Sequence, residues 1–135
     1  MRVLLVAAVV VLVALSGCSK KSPDSPGGVP FETPHKEDGD YHITLTADKA
    51  FDPRNAKVPD GAVVVWTAEI DGCRIIAKDG AFDSRNGRSE SGVSYNNGII
   101  PKGESFTWTA ISSGDHEYVC SVYEGSGMVG VLRVG

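Results

Sequence analysis

The chain has 135 residues and a formal net charge of −4, since Asp and Glu outnumber Lys and Arg by 17 to 13. The sequence contains no cluster of basic residues, so nucleic acid is not expected as a partner. Two N-terminal segments of unusual composition take up part of the length, and the remainder is large enough for one domain only.

The first segment, residues 1–17, predicts an export signal, because Arg2 is followed by unbroken apolar sequence over residues 3–15. The apolar run is too short to span a membrane. Leu-Ser-Gly-Cys at residues 15–18 resembles the bacterial lipobox, in which a peptidase cleaves before the cysteine and the new N-terminus is acylated. The resemblance implies a lipid anchor on Cys18, attachment to the cell membrane and a location outside the cytoplasm. An ordinary secretory signal followed by an incidental cysteine is the alternative.

The second segment, residues 18–40, is rich in proline, glycine and polar residues, so it predicts a flexible linker between the lipid and the domain. His35 lies in this linker and is expected to be solvated. The domain is predicted to span residues 41–135. With Cys18 assigned to the lipid, Cys73 and Cys120 remain, and in an oxidising compartment two remaining cysteines suggest one disulfide.

Short runs of β-branched and aromatic residues, separated by turn residues, predict strands throughout the domain. Ile43 and Leu45 alternate with polar residues that include His42, which indicates a strand with one buried face. In chain order, strands are predicted at residues 42–47, 62–68, 70–78, 105–110, 116–120 and 129–134. Residues 51–53 begin an irregular segment, and residues 79–98 read as a long surface loop. About seven short strands without core helices predict an all-β Greek-key β-sandwich.

Three stretches of the domain resemble the plastocyanin and halocyanin domains of the blue-copper, or cupredoxin, family. They include Phe-Asp-Pro at residues 51–53, Asp-Gly-Ala-Phe-Asp-Ser at residues 79–84 and Gly-Met-Val-Gly at residues 127–130. Their flanking matches lie at residues 57–61, 65–66, 71–76, 105–108, 114–118 and 120. The matches cover nearly the whole domain in the family's order, so the resemblance implies a cupredoxin-like fold.

A blue-copper site needs two imidazoles and one thiolate around the ion, with a long axial thioether. By this resemblance the thiolate falls on Cys120 and the thioether on Met128. The two histidine positions fall on Cys73 and Tyr123, so neither imidazole is present. His116, four residues before the thiolate position on an extended strand, is too distant to replace them and is expected to be a core histidine.

The altered ligand set leaves several hypotheses open. Because the family's ligands converge on one ion, Cys73 and Cys120 are expected to lie close enough for a disulfide, with Tyr123 packed over the former site. The domain would then hold no cofactor and serve as a metal-free scaffold or as a binding module for an unknown protein partner. The alternative is a copper-binding protein for electron transfer or copper handling, with copper at Cys73, Cys120, Tyr123 and Met128.

Enzymatic chemistry finds little support in the sequence. Reversible thiol exchange by Cys73 and Cys120 would be a third hypothesis, but no Cys-X-X-Cys motif is present to lower a thiol pKa. No nucleophile motif accompanies Asp115 and His116, which are neighbours on a predicted strand and face opposite sides. We therefore predict that the protein is not an enzyme.

Overall fold

The computed structural model describes residues 28–87 and 94–135. The predicted signal peptide at residues 1–17, the predicted lipid anchor Cys18 and residues 19–27 of the predicted linker lie outside the described residues. Within the described ranges, no helix is long and apolar enough to cross a membrane.

Nine β-strands in two sheets make up the described part of the chain. They are β1 (His35–Glu37), β2 (Asp40–Leu45), β3 (Phe51–Asp52), β4 (Asn55–Val58), β5 (Val63–Ala68), β6 (Ile75–Ala77), β7 (Ser105–Thr109), β8 (Gly114–Cys120) and β9 (Val129–Val134). The first sheet has the order β1-β2-β5-β7, with β3 also paired to β2, and the second has the order β4-β9-β8-β6. The prediction of an all-β sandwich is confirmed.

Strand direction differs between the pairs. The β2–β5 and β4–β9 pairs are parallel. The other pairs are antiparallel. Parallel neighbours cannot be joined by a tight hairpin, so the chain passes between the two sheets before it returns. This crossing brings residues that are far apart in sequence to one end of the sandwich.

Aromatic side chains from both sheets form the centre of the core. Trp66 on β5 is fully buried, and its ring centroid lies 5.7 Å from that of Tyr118 on β8. Phe82 and Phe106 are buried against the same indole, at 5.0 and 5.5 Å. Trp108 is partly buried and packs on Phe82 at 4.8 Å. These aromatic side chains therefore join the two sheets.

The sheet begins earlier than the domain boundary expected at residue 41. β1 (His35–Glu37) lies within the predicted linker and pairs with β2 through a two-residue turn at Asp38 and Gly39. Both turn residues have positive φ, 51° and 89°, the conformation that tight antiparallel hairpins favour. Further upstream, the side chain of Asn55 donates a hydrogen bond to the carbonyl of Val29 at 2.7 Å.

Other boundaries also differ from the sequence expectation. The segment expected to be irregular after residue 51 contains β3 and β4, and β4 pairs along its length with β9. The strand expected at residues 70–78 is limited to β6, because a turn occupies residues 69–72. β4 was missed because its four residues, Asn55–Val58, include two polar side chains and offer no clear alternation.

The expected surface loop at residues 79–98 is partly a core element, and this expectation is corrected. Phe82, Ser84 and Tyr95 are buried, and 3-10 turns occupy Ser84–Asn86 and Asn96–Gly98. The Ser84 hydroxyl accepts a hydrogen bond from the Ile75 amide at 2.9 Å and donates to the Gly98 carbonyl at 2.6 Å. A small polar residue can enter the core here because both of its hydrogen bonds are satisfied.

Candidate functional site

The candidate site is a disulfide at one end of the sandwich, between Cys73, just before β6, and Cys120, the last residue of β8. Cys73 and Cys120 are both fully buried and are bonded to each other, with Cα atoms 5.5 Å apart. This Cα distance lies within the usual range for protein disulfides. The bond closes a loop with a sequence separation of 47 residues.

Backbone contacts fix the position of Cys73. A turn at Asp71 and Gly72 precedes it, and Gly72 has φ of +80°, a conformation that favours glycine. The Cys73 carbonyl accepts a hydrogen bond from the Ile100 amide at 2.8 Å. The Asp71 carboxylate accepts one from the Lys102 amide at 2.9 Å. These bonds tie the turn to the chain that leads into β7.

Cys120 is the last residue of β8, and the loop that follows folds back onto it. The Tyr123 amide donates to the Cys120 carbonyl at 3.1 Å, and the Met128 amide donates to the Tyr123 carbonyl at 3.2 Å. The Cys120 amide in turn donates to the Met128 carbonyl at 3.1 Å. Gly127, with φ of +83°, allows this reversal. The fully buried Met128, just before β9, therefore lies beside Cys120.

Tyr123 links the C-terminal loop to the turn before Cys73. Its ring is partly buried against the core, and its hydroxyl donates a hydrogen bond to the Asp71 carbonyl at 3.0 Å. The ammonium group of Lys49 lies 5.2 Å from the ring centroid. The four predicted site residues, Cys73, Cys120, Tyr123 and Met128, thus belong to one connected region of the structure.

An ion pair supports the disulfide from the side of β6. Arg74, next to Cys73, contacts the Asp83 carboxylate at 3.0 Å, and Asp83 also caps the following 3-10 turn through the Arg85 amide at 2.9 Å. Partial burial raises the pKa of Asp83, but the hydrogen bonds from Arg74 and Arg85 outweigh it and hold the pKa below its usual value. Asp83 is therefore a carboxylate near neutral pH.

All three histidines of the sequence lie away from the disulfide. His116 is 3% exposed, which confirms the expectation of a core histidine. Its Nδ1 lies 2.5 Å from the Asp79 carboxylate and its Nε2 lies 2.6 Å from the Ser112 carbonyl. His35 and His42 lie opposite each other on β1 and β2.

Asp79 shares the His116 contact with a turn amide. Partial burial raises the pKa of Asp79, but hydrogen bonds from the Ala81 amide and from His116 hold it below its usual value. The Asp79–His116 contact was not predicted from the sequence, because 37 residues separate the two and no spacing rule connects them.

The donor set does not fit a blue-copper ion. Such an ion needs two imidazoles and a free thiolate, whereas Cys120 is bonded to Cys73. Tyr123, to which the resemblance assigns the second histidine position, donates its hydroxyl to a backbone carbonyl. Among the residues that the structure describes, no group of three or more His, Cys, Asp or Glu side chains is arranged to hold a metal ion.

Sequence reasoning missed the approach of His35 to His42, because it placed His35 in a linker. One signal could have revealed it. Asp-Gly at residues 38–39 is a strong hairpin dipeptide, and a two-residue turn there sets residue 35 opposite residue 42.

Several solved structures have a fold similar to that of this chain. A reduced Cu(I) form of an amicyanin mutant matches with a TM-score of 0.55 and 16% identity, covering 75% of this chain and 87% of amicyanin. A mutant fern plastocyanin matches at 0.54 and 16% identity, covering 70% and 99%. A copper-containing nitrite reductase from Thermus scotoductus matches at 0.52 and 18% identity, covering 71% of this chain and only 22% of the reductase.

The sequence comparisons agree with this fold. A search of curated proteins finds no match. The family model described as copper binding proteins of the plastocyanin/azurin family matches residues 41–135, the whole of the predicted domain. The chain therefore belongs to the plastocyanin/azurin family of copper-binding proteins.

Proposed function

We propose that this protein is a scaffold or binding module that holds no metal at its family's copper position, where a disulfide takes the place of the ion. The observation that carries the proposal is the Cys73–Cys120 bond, which joins two of the positions that the family resemblance assigns to copper ligands. A thiolate is the copper-binding form of cysteine, so this bond removes the sulfur on which a blue-copper site depends.

The disulfide also supplies the structural role that a metal ion could have had. On the chain-entropy model, closing a loop with a separation of 47 residues stabilises the fold by about 4 kcal/mol. Tyr123 adds a hydrogen bond between the same two segments, at the Asp71 carbonyl. A covalent bond and a hydrogen bond thus hold together the two chain segments that metal coordination would otherwise connect.

The proposed location supports a persistent disulfide. Export and lipidation of Cys18 would place the domain outside the cytoplasm, where disulfides form and persist. The anchor would hold the module at the cell membrane, where it would meet a protein partner. We propose no enzymatic activity, because the buried disulfide is enclosed by core residues and none of the polar clusters described above supplies a nucleophile with a paired base.

A second candidate function is copper binding, for electron transfer or copper handling. The family membership and the burial of Met128 beside Cys120 favour it. It requires reduction of the disulfide, which would give two thiolates and a thioether. Soft sulfur donors of this kind select Cu(I), so such a site would hold copper strongly in one oxidation state.

A ligand-restoration experiment tests the proposal. The full chain and the Cys73→His/Tyr123→His variant are each exposed to Cu²⁺ and followed by absorption and electron paramagnetic resonance spectroscopy. We expect the intense sulfur-to-copper band of a blue-copper site in the variant alone, since the substitutions release the Cys120 thiolate and supply both imidazoles. The Cys73→Ala/Tyr123→His variant, which has one imidazole, is the matched control. A sulfur-to-copper band in the unmodified chain would contradict a metal-free function.

A further inference from the structure

Two histidines face each other at the edge of the first sheet. β1 and β2 are antiparallel, and their register places His35 directly opposite His42. The ring centroids are 6.4 Å apart, with the ring planes inclined by 45°. Directly opposed side chains in an antiparallel pair lie on the same face of the sheet, so both imidazoles point to the same side.

The histidines share this face with polar side chains from β2 and β3. Thr44 follows His42 by two residues and therefore lies on its face of the strand. Asp52 on β3 is opposite Thr44 in the register, which brings a carboxylate to the same side. Together with Glu32 these residues line a groove of about 290 Å³. The groove thus combines two imidazoles with two carboxylate residues.

Solvent can reach the donors. The side chain of His35 is 76% exposed, and its Nε2 lies 4.0 Å from the Glu37 carboxylate, beyond hydrogen-bonding distance. His42 is partly buried at the base of the groove. Neither ring is enclosed in the core, unlike His116, so both can turn about their side-chain torsions toward a shared ligand.

We propose that this groove binds a divalent transition-metal ion through His35 and His42. Imidazole nitrogens suit Cu²⁺, Ni²⁺ and Zn²⁺, and Cu²⁺ is expected to bind most tightly of the three. The ion would complete its coordination with water, since no described group of three ligand side chains is already assembled here. The carboxylates of Asp52 and Glu32 would add negative charge near the ion.

Binding would have a structural consequence for the N-terminal segment. β1 has three residues, all exposed, so few contacts hold it on β2. An ion shared by His35 and His42 would cross-link the two strands. The site is independent of the sulfur chemistry at Cys73 and Cys120, because it uses no sulfur donor.

The test is a metal titration of the full chain, purified in detergent without a polyhistidine tag. Cu²⁺ and Zn²⁺ are titrated into the unmodified chain and into the His35→Ala, His42→Ala and Lys36→Ala variants. Lys36 is the matched control, because it lies on the same strand but on the opposite face, 5.3 Å above the Tyr41 ring. We expect one ion to bind, and each histidine substitution to weaken it by about tenfold or more, with no change for Lys36→Ala.

A second measurement locates the ion without any substitution. Substoichiometric Cu²⁺ should broaden the nuclear magnetic resonance signals of His35, His42 and Thr44 before others, and its electron paramagnetic resonance spectrum should show nitrogen ligands. Unchanged affinity in the His35→Ala/His42→Ala double variant, or broadening that begins elsewhere, would overturn the proposal. Failure of the metal-free proposal is recognised separately, by a sulfur-to-copper band that the histidine substitutions do not remove.

Discussion

The disulfide end of the sandwich and its His35–His42 edge contain different metal-binding chemistry. At the first, two sulfur atoms are fully buried and bonded to each other. At the second, two imidazoles lie in an open groove at a sheet edge, with carboxylates nearby. A blue-copper site requires both kinds of donor at one point.

The chain has the family's fold, but its imidazoles and its two bonded cysteines lie in separate regions. The family resemblance assigns the sulfur ligands to Cys120 and Met128, and the bond to Cys73 leaves Cys120 without a free thiol. The imidazoles that remain in the sequence are elsewhere, on β1, β2 and the middle of β8. Structural stability at the first region therefore depends on a covalent bond, whereas the second has little structural role.

The largest expected effect is loss of the disulfide. Reduction, or the Cys73→Ala/Cys120→Ala double substitution, should lower the free energy of unfolding by about 4 kcal/mol, because the closed loop has a separation of 47 residues. Urea unfolding with and without reductant measures this change. The double variant serves as the control, since reductant should not destabilise it further. Equal stability of the verified reduced and oxidised proteins would show that the bond has no stabilising role.

A smaller loss is expected at the ion pair beside the disulfide. Asp83→Ala removes the contacts with Arg74 and the Arg85 amide. Because the side chains of Arg74 and Asp83 are only 23% and 15% exposed, the loss should be about 2 kcal/mol. Asp115→Ala is the matched control, because its pair with Arg133 is more exposed and should contribute less than about 1 kcal/mol. Similar losses in the two variants would mean that the ion pair beside the disulfide stabilises the fold no more than an exposed pair does.

Acid should destabilise the fold by protonating the carboxylates of Asp79, Asp83 and Asp115. The hydrogen bond and charge of Arg133 hold the pKa of Asp115 below its usual value, as the contacts described above do for Asp79 and Asp83. Unfolded carboxyl groups bind protons first as the pH falls below about 4, so the unfolded state gains protons and stability decreases. The denaturant concentration at the unfolding midpoint should therefore decrease as the pH is lowered below about 4. The decrease should be less steep for Asp83→Asn. A midpoint that rises on acidification would contradict the assigned pKa directions.

Tyr123 should contribute modestly to the stability of the fold at the disulfide end of the sandwich. Tyr123→Phe keeps the ring but removes the hydrogen bond to the Asp71 carbonyl, and should lower the free energy of unfolding by about 1 kcal/mol. Thermal unfolding of the oxidised variant measures the difference. A variant more stable than the unmodified chain would indicate that removing the hydroxyl from water costs more free energy than its hydrogen bond to Asp71 returns.

The smallest effect is expected at the histidine edge. In buffer with a metal chelator, His35→Ala/His42→Ala should change the free energy of unfolding by less than about 0.5 kcal/mol, because His35 is exposed and His42 is only partly buried. Urea unfolding checks this value. A loss comparable to that of the disulfide would remove the contrast between the two regions.

Much of the fold could be predicted because its longer strands carry clear alternation. Ile43 and Leu45 mark the buried face of β2, and β5, β7, β8 and β9 lie within two residues of their predicted limits. β1 and β3 have only three and two residues, too short for any periodic pattern. Their pairing depends on turns and on a neighbouring strand rather than on their own composition.

The site was predictable where the family resemblance assigned positions to single residues. It named Cys73, Cys120, Tyr123 and Met128, which the structure gathers into one region. The remaining contacts join residues far apart in sequence. Tyr123 reaches Asp71 across 52 residues, and Asp79 reaches His116 across 37, so only the packing of the two sheets determines them.

The most direct test of the central claim is the redox state of the two cysteines in protein isolated from the cells that produce it. The full chain is alkylated under denaturing conditions before and after reduction, and the peptides are identified by mass spectrometry beside a copper analysis. The account predicts that Cys73 and Cys120 are modified only after reduction and that no sulfur-bound copper is present. Modification of both thiols before reduction, with one equivalent of copper, would contradict it.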